Sequence, residues 1–500
     1  MEKFRGLYEK GLYEIAEDLS ESKLNNKNIT PIRLIDRNWG MFHYITLWVS
    51  IIICFMSYIN TSKMMAQGMV WWQVVLTVFF ATIIVLIPIV LNSHAGAKYG
   101  LSSPVLLRVS FGVYGAKLPV LLRAIVACLW FGLQTRITAS IVYSIINGAY
   151  PELSDFFPID VMGLKYLEFC CYFLVLFLSL LVIYGKMKLV RNVCVISAPI
   201  LVILMILFLV LMHKTSGNWS SIITKRSTLS SPADFLGIFF LSFSILIVYW
   251  LPLSVNISDF TRYAKSQRDH ILGQSLSLPI AITLFAFLVV VITLSTFTIF
   301  GRYVWDPAEI FARLNNPIFI VLAVIGILIS GVIMNVVVNL VAGGMAFSSL
   351  APKKISFRGG AVITAIVGTL IIPKEFSLNF INYIYFWLIT YSAILSPILG
   401  IMLCDYFLIR RSAINPADLY DTKGVYRYNK GVNYRAIIAL IIGILPSLPA
   451  ILFQMNFFSK FPLKEFLNSL YPLSIFIGFF LSLIIYYILM HPESKERDTL

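Results

Sequence analysis

Charge is what this 500-residue chain has least of: Asp, Glu, Lys and Arg make up 13% of it, hydrophobic residues 59%, and mean hydropathy is +0.85. So few charges exclude a soluble multidomain protein and a disordered one. Histidine is scarce too. The five (His43, His94, His213, His270, His491) are scattered, and no HExxH, phosphate loop or nucleophile elbow is present, so no enzyme class finds its machinery here. The six cysteines (Cys54, Cys128, Cys170, Cys171, Cys194, Cys404) all lie in apolar runs without metal-ligand spacing. They predict buried free thiols and exclude a disulfide scaffold, a metal centre or a bound cofactor. The first 38 residues are polar and mixed in charge, which excludes a cleavable signal peptide.

What is there instead is a series of apolar runs of about 20 residues, each long enough to cross roughly 30 Å of hydrocarbon. The runs fall at 40–61, 70–92, 118–148, 164–185, 189–213, 235–257, 276–300, 317–346, 360–373, 379–409, 434–456 and 468–490. The expected fold is an all-α polytopic membrane protein of twelve transmembrane helices, with tilted or broken segments where runs are long. An even count puts both ends on one side. Placing them in the cytoplasm puts about 27 of the 39 Lys and Arg there, as the positive-inside rule requires. The net charge of +15 is therefore a membrane signature and not a nucleic-acid one. An inner (plasma) membrane location follows. The segments divide into a cytoplasmic arm (1–38), a first repeat (39–213), a second repeat (235–409), two further helices (434–490) and a cytoplasmic tail (491–500). In an inverted repeat the first helix of each half is interrupted at mid-membrane. Span six, with Pro252 inside its apolar run, fits that pattern. Span one holds no Gly or Pro between Ile51 and Ile59, so this reading leaves it unbroken.

Polar groups inside apolar runs are the candidate functional residues, because they are costly there unless used. The stretch His94 to Thr135 opens as a partly polar loop, passes through a short amphipathic segment with Arg108, and enters a helix carrying Trp130 and Gln134. Four residues apart, these two share one face, where an indole beside an amide suits a flat ring with hydrogen-bonding edges. Trp250 adjoins Pro252. Asn335 and Asn339, also four apart, suit a helix–helix bond and a ligand contact respectively. Asn256 and Asp259 meet a basic loop, where a cap, a salt bridge or a gate is expected. Arg136 lies well round the helix from Trp130. It is expected either to pair with Glu168 or Asp405 or to meet an anionic substrate.

These residues sit in longer signatures. HAGAKYG, PVLLRVSFGVYGAKLPVLLRA and WFGLQT, then NISDFTRYAKSQRD after Trp250, NVVVN, SLAPKKISFRGG, SPILGIMLCDYFLIRR and the DLYD segment cover residues 34–455. Together they resemble the first family of nucleobase–cation symporters, which includes allantoin, hydantoin, uracil and cytosine permeases. The resemblance implies a LeuT-like five-plus-five inverted repeat followed by two C-terminal helices, working by alternating access. It also implies two ring-sandwiching tryptophans at Trp130 and Trp250, substrate-bonding amides at Gln134 and Asn339, and a further polar contact at Cys54.

The chain departs from the family pattern in several places. Cys54 stands where relatives usually carry an amide followed by Ile-Pro, Arg136 replaces an aromatic, and Gly343-Gly344 replaces Ser-Pro. The family's sodium site would use carbonyls of Ser50, Ile53 and Ser330 with hydroxyls at two positions held here by Ile333 and Met334. Sodium needs hard oxygen ligands, so coupling to protons, or only weak dependence on sodium, is expected. The implied function is secondary transport, by a monomer in the bilayer, of a small planar nitrogen heterocycle such as a nucleobase, hydantoin or allantoin. The alternatives are the same fold with a pocket altered for a nucleoside, a vitamin ring or an anionic ring, and a membrane sensor that does not transport.

Overall fold

The computed structural model describes residues 6–9, 11–155, 159–161, 164–217, 227–229, 231–304, 309–311, 316–371, 380–454 and 470–498. Its helices follow the apolar runs. In chain order they are α1 (Met41–Ile52), α2 (Phe55–Ala66), α3 (Trp71–Tyr99), α4 (Ser103–Phe111), α5 (Lys117–Ala149), α6 (Tyr166–Tyr184), α7 (Lys186–Ser216), α8 (Pro232–Asn256) and α9 (Ser258–Thr261). Then come α10 (Gln267–Phe300), α11 (Pro317–Leu350), α12 (Phe357–Ile371), α13 (Phe380–Leu403), α14 (Tyr434–Phe453) and α15 (Ser474–Asp498). Ten helices are long and apolar enough to cross a membrane, and the bent pair α1–α2 makes eleven. The ninth expected span is the 15-residue α12, about 22 Å long. The described residues therefore hold eleven full-length crossings and one short helix, where twelve were expected. Two short antiparallel pairs, Gly6–Glu9 with Leu12–Ile15 and Asp160–Val161 with Leu164–Lys165, are the exceptions to the all-α reading.

Two packed groups make the body. α1, α3, α8 and α10 pack on one another, as do α5, α6, α11 and α12, while α13, α14 and α15 form a flank. The polar stretch expected to be a loop from His94 is helical to Tyr99. It stops at Gly100, whose φ of 69° suits glycine.

Two expectations about broken helices are corrected. Span one does break. Ile53 (φ −75°, ψ 76°) forms an inverse γ-turn in which the Cys54 N–H donates to the Ile52 carbonyl at 2.8 Å. Cys54 is extended, and α2 leaves at 59° to α1. Span six does not break at its proline: α8 runs through Pro252 to Asn256. Pro252 lacks the N–H that would bond the Val248 carbonyl, and the Tyr391 hydroxyl of α13 donates to that carbonyl instead, at 2.8 Å. α11 is irregular in a different way, because Asn335–Leu340 form a π-turn within it. Such turns recur at functional sites.

The arm ahead of α1 is a strap across one end of the helices. Asn26 donates to Ser348 Oγ at 2.8 Å and to the Pro352 carbonyl at 3.0 Å. Ser22 donates to the Tyr420 carbonyl, and the Tyr420 hydroxyl donates back to the Ile29 carbonyl at 2.6 Å. Arg262 donates to the carbonyls of Asn28 and Thr30, and Arg108 to those of Leu24 and Leu419. Buried guanidinium groups thus satisfy the carbonyls of a strand of chain that has no ladder of its own.

Candidate functional site

The candidate residues come from four elements. Trp130 and Gln134 lie on α5, Tyr249 and Trp250 on α8, Asn335 and Asn339 in the π-turn of α11, and Cys54 at the α1–α2 break. Trp130, Gln134, Trp250, Asn339 and Cys54 are all buried, each at most 6% exposed.

The two indoles do not face each other directly. Tyr249 touches both, edge-to-face, at centroid distances of 6.1 Å to Trp130 and 5.0 Å to Trp250. Trp130 also meets Tyr391 at 6.1 Å, and Trp250 meets Trp48 at 5.6 Å. Cys54 joins the group through the Tyr249 hydroxyl, 3.4 Å from its sulfur.

The amides reach the same level by a chain of bonds. Asn335 donates to Thr135 Oγ1 at 2.7 Å, one residue from Gln134, and Asn339 donates to Asn335 Oδ1 at 2.9 Å. Asn335 thus bonds α11 to α5. Asn339 Oδ1 and Trp250 Nε1 are buried with no hydrogen-bond partner among the described residues, an arrangement that is costly unless something else pairs with them. α11 can approach this closely because residue 331 is glycine: a Cβ there would stand 2.3 Å from Thr138 Oγ1.

The expected cation positions are differently furnished. The Ser50 and Ser330 hydroxyls each donate back into their own helix, to Leu47 at 2.9 Å and Ile327 at 3.2 Å. Ile333 and Met334 are buried hydrocarbon. Ile53 and Ser330 border a cleft of about 110 Å³ that Cys54, Tyr58, Phe208 and Phe285 also line. Such a lining does not replace a cation's hydration shell.

Below the site, Arg123 links three helices. Its Nε and Nη2 donate to Asn256 Oδ1 at 3.1 and 2.9 Å, and Nη2 donates to the Val338 carbonyl of the π-turn at 2.9 Å. Asp259 accepts the Ser103 N–H at 2.9 Å, which caps α4. Asp405 pairs with Arg410 at 2.9 Å.

Arg136 pairs with Glu168, at 3.6 Å, with both side chains close to 10% exposed. Removing one partner of a buried pair is costly, so Arg136→Gln is expected to lower stability by about 3 kcal/mol and to leave the rank order of competing rings unchanged. Competition assays on the purified variant check this, and a changed order would restore the anionic-ring reading.

Sequence reasoning passed over Tyr249, Tyr391 and Lys63. Lys63 Nζ lies 4.4 Å from the centroid of the Tyr385 ring, and the Tyr385 hydroxyl donates to Asn60 Oδ1 at 3.4 Å, so α2 is tied to α13. A lysine two residues past the end of the first apolar run was the signal available for it.

Residues 31–478 match the family described as permease for cytosine/purines, uracil, thiamine and allantoin. The chain belongs to this permease family. Its members are transporters and not enzymes, and this permease is a multi-pass membrane protein. It is 34% identical over 486 residues to the purine-uracil permease NCS1 of Arabidopsis thaliana, covering 97% of this chain and 80% of the relative. It is 30% identical over 477 residues to the allantoin permease of Bacillus subtilis, covering 95% of each. In fold the permease matches the closed conformation of Mhp1, a nucleobase-cation-symport-1 family transporter solved with bromovinylhydantoin bound. The TM-score is 0.76 at 21% identity, over 95% of this chain and 96% of that one. The architecture is therefore the LeuT-like one.

Proposed function

We propose that this permease carries a small planar nitrogen heterocycle, of the nucleobase, hydantoin or allantoin type, as a monomer in the plasma membrane with both ends cytoplasmic. The observation that carries this reading is the unpaired Oδ1 of Asn339 on the π-turn, whose own amide N–H is linked through Asn335 to Thr135 of α5, next to Gln134. An N–H on a ring edge is the natural donor for that oxygen. The indoles of Trp130 and Trp250 offer aromatic surface, and the Gln134 amide can serve a second edge. The permeases named for purine-uracil and allantoin support the same substrate class. The bound ring would favour the occluded state only by its differential affinity for it.

Sodium is not the main driving ion in this reading, because the two hydroxyl positions of the cation site hold the buried apolar side chains Ile333 and Met334. The test is thermal stabilisation of the purified protein across purines, pyrimidines, hydantoins and allantoin, in sodium chloride and in choline chloride. One ring is expected to raise the melting temperature equally in both salts. A shift seen only with sodium would overturn the coupling reading, and no shift with any planar ring would overturn the substrate reading.

A further inference from the structure

Aromatic rings run edge to face through the site in the order Trp48, Trp250, Tyr249, Trp130, Tyr391, Trp387. Successive centroids are 5.6, 5.0, 6.1, 6.1 and 5.6 Å apart, with planes at 62–77°. Tyr249 is the link between the two indoles in this series, and its polar end is loosely held. Tyr391, Tyr420 and Tyr486 each bond an oxygen within 3 Å. The Tyr249 hydroxyl meets the Cys54 sulfur at 3.4 Å, and that sulfur is shared with Ser57 Oγ at 3.3 Å. A thiol is a weak donor and a weak acceptor. Exchanging it for a carbonyl oxygen therefore gains a hydrogen bond at little loss, which does not hold for the other three phenols.

We propose that Tyr249 is the specificity-determining residue of this permease: its hydroxyl donates to a carbonyl on the ring's edge, and its ring limits the size of the substituent the site admits. The inference rests on the ring site proposed above. It also accounts for the thiol at position 54, which parks the Tyr249 hydroxyl when no ring is bound. The size limit follows from distance. A ring stacked between two others needs about 3.5 Å on each side. Tyr249, with its ring centroid within 6.1 Å of both indole centroids, leaves little room on its side for a substituent on a ring stacked against either indole.

The test uses the purified full chain with uracil and hydantoin as small probes, and the 5-bromovinyl derivative of whichever ring binds as the large one. If neither small ring binds the wild-type protein, the ring-site reading fails before the inference is reached. Given a bound ring, Tyr249→Phe keeps the aromatic plane and removes the hydroxyl. Its Kd is expected to rise at least fivefold, the loss of one hydrogen bond, with the melting temperature of the ligand-free protein unchanged. Tyr249→Ala is expected to shift the affinity ratio of large to small probe at least fivefold towards the large one. A smaller rise in Tyr249→Phe would overturn the reading of the edge. A smaller shift in Tyr249→Ala would overturn the size limit.

Discussion

Replacing Trp130 by alanine is expected to lower ring uptake about a hundredfold while the protein remains in the membrane. The magnitude follows from two terms. Stacking on an indole is worth roughly 1 kcal/mol beyond area burial, and about 50 Å² of lost ring–indole contact adds roughly 1.3 kcal/mol at 25 cal/mol per Å². Their sum approaches the 2.7 kcal/mol that a hundredfold requires. The same change opens a void beside Tyr249 and Tyr391, and a Trp→Ala void can cost about 3–5 kcal/mol of stability. Trp130→Phe separates the two effects, because it keeps an aromatic face and most of the volume. Radiolabelled uptake, normalised to membrane-inserted protein, reads both variants. Wild-type uptake by Trp130→Ala at normal abundance would sink the site as assigned.

The second large effect is expected at Arg123. Arg123→Met would strip Asn256 Oδ1 and the Val338 carbonyl of their donor and leave Asp259 with Arg262 as the remaining one of its two nearby positive charges. Breaking a buried charged cluster on one side costs about 3–5 kcal/mol, a large part of the stability of a marginal fold. The expected outcome is loss of folded protein, seen as aggregation in fluorescence-detected size exclusion. Arg123→Lys restores a charge and not the fork that grips Asn256 at two nitrogens, so it is expected to fall between the two. Full stability of Arg123→Met would mean that α5, α8 and the π-turn hold together by packing alone.

Much of this architecture could be read from one chain because a bilayer imposes a length on every crossing. The expected third span, 118–148, differs by one residue at each end from Lys117–Ala149. The last span was expected to end at 490, yet its helix runs through Pro492 to Asp498, beyond the apolar run whose length the expectation followed. The break in span one was not legible. An inverse γ-turn needs only negative φ, so Ile53 makes it without the glycine or proline that would have marked it. Pro252 raised the opposite expectation, and what cancels it is a hydroxyl 143 residues away on Tyr391, which local pattern cannot foresee. The candidate site was partly legible. Spacing put Trp130 with Gln134 and Asn335 with Asn339 on common faces, and resemblance supplied Cys54. Tyr249 was hidden by its neighbour. Adjacent helical residues point about 100° apart, so singling out Trp250 assigned Tyr249 elsewhere, whereas the structure brings both against the same group of rings.

The strap ahead of α1 also fixes an order of events in biosynthesis. It leaves the ribosome ahead of α1, and two of its bonding partners follow hundreds of residues later. Asn26 waits for Ser348, 322 residues later, and Ser22 for Tyr420, 398 residues later. At 5–20 residues per second, the second interval is roughly 20–80 s. For that time the latch at Tyr420 is missing, although the bonds of Arg108 and Arg262 to Leu24, Asn28 and Thr30 join segments already made. Docking of the strap is then a late checkpoint on assembly, passed only by a chain whose tenth crossing is already in place.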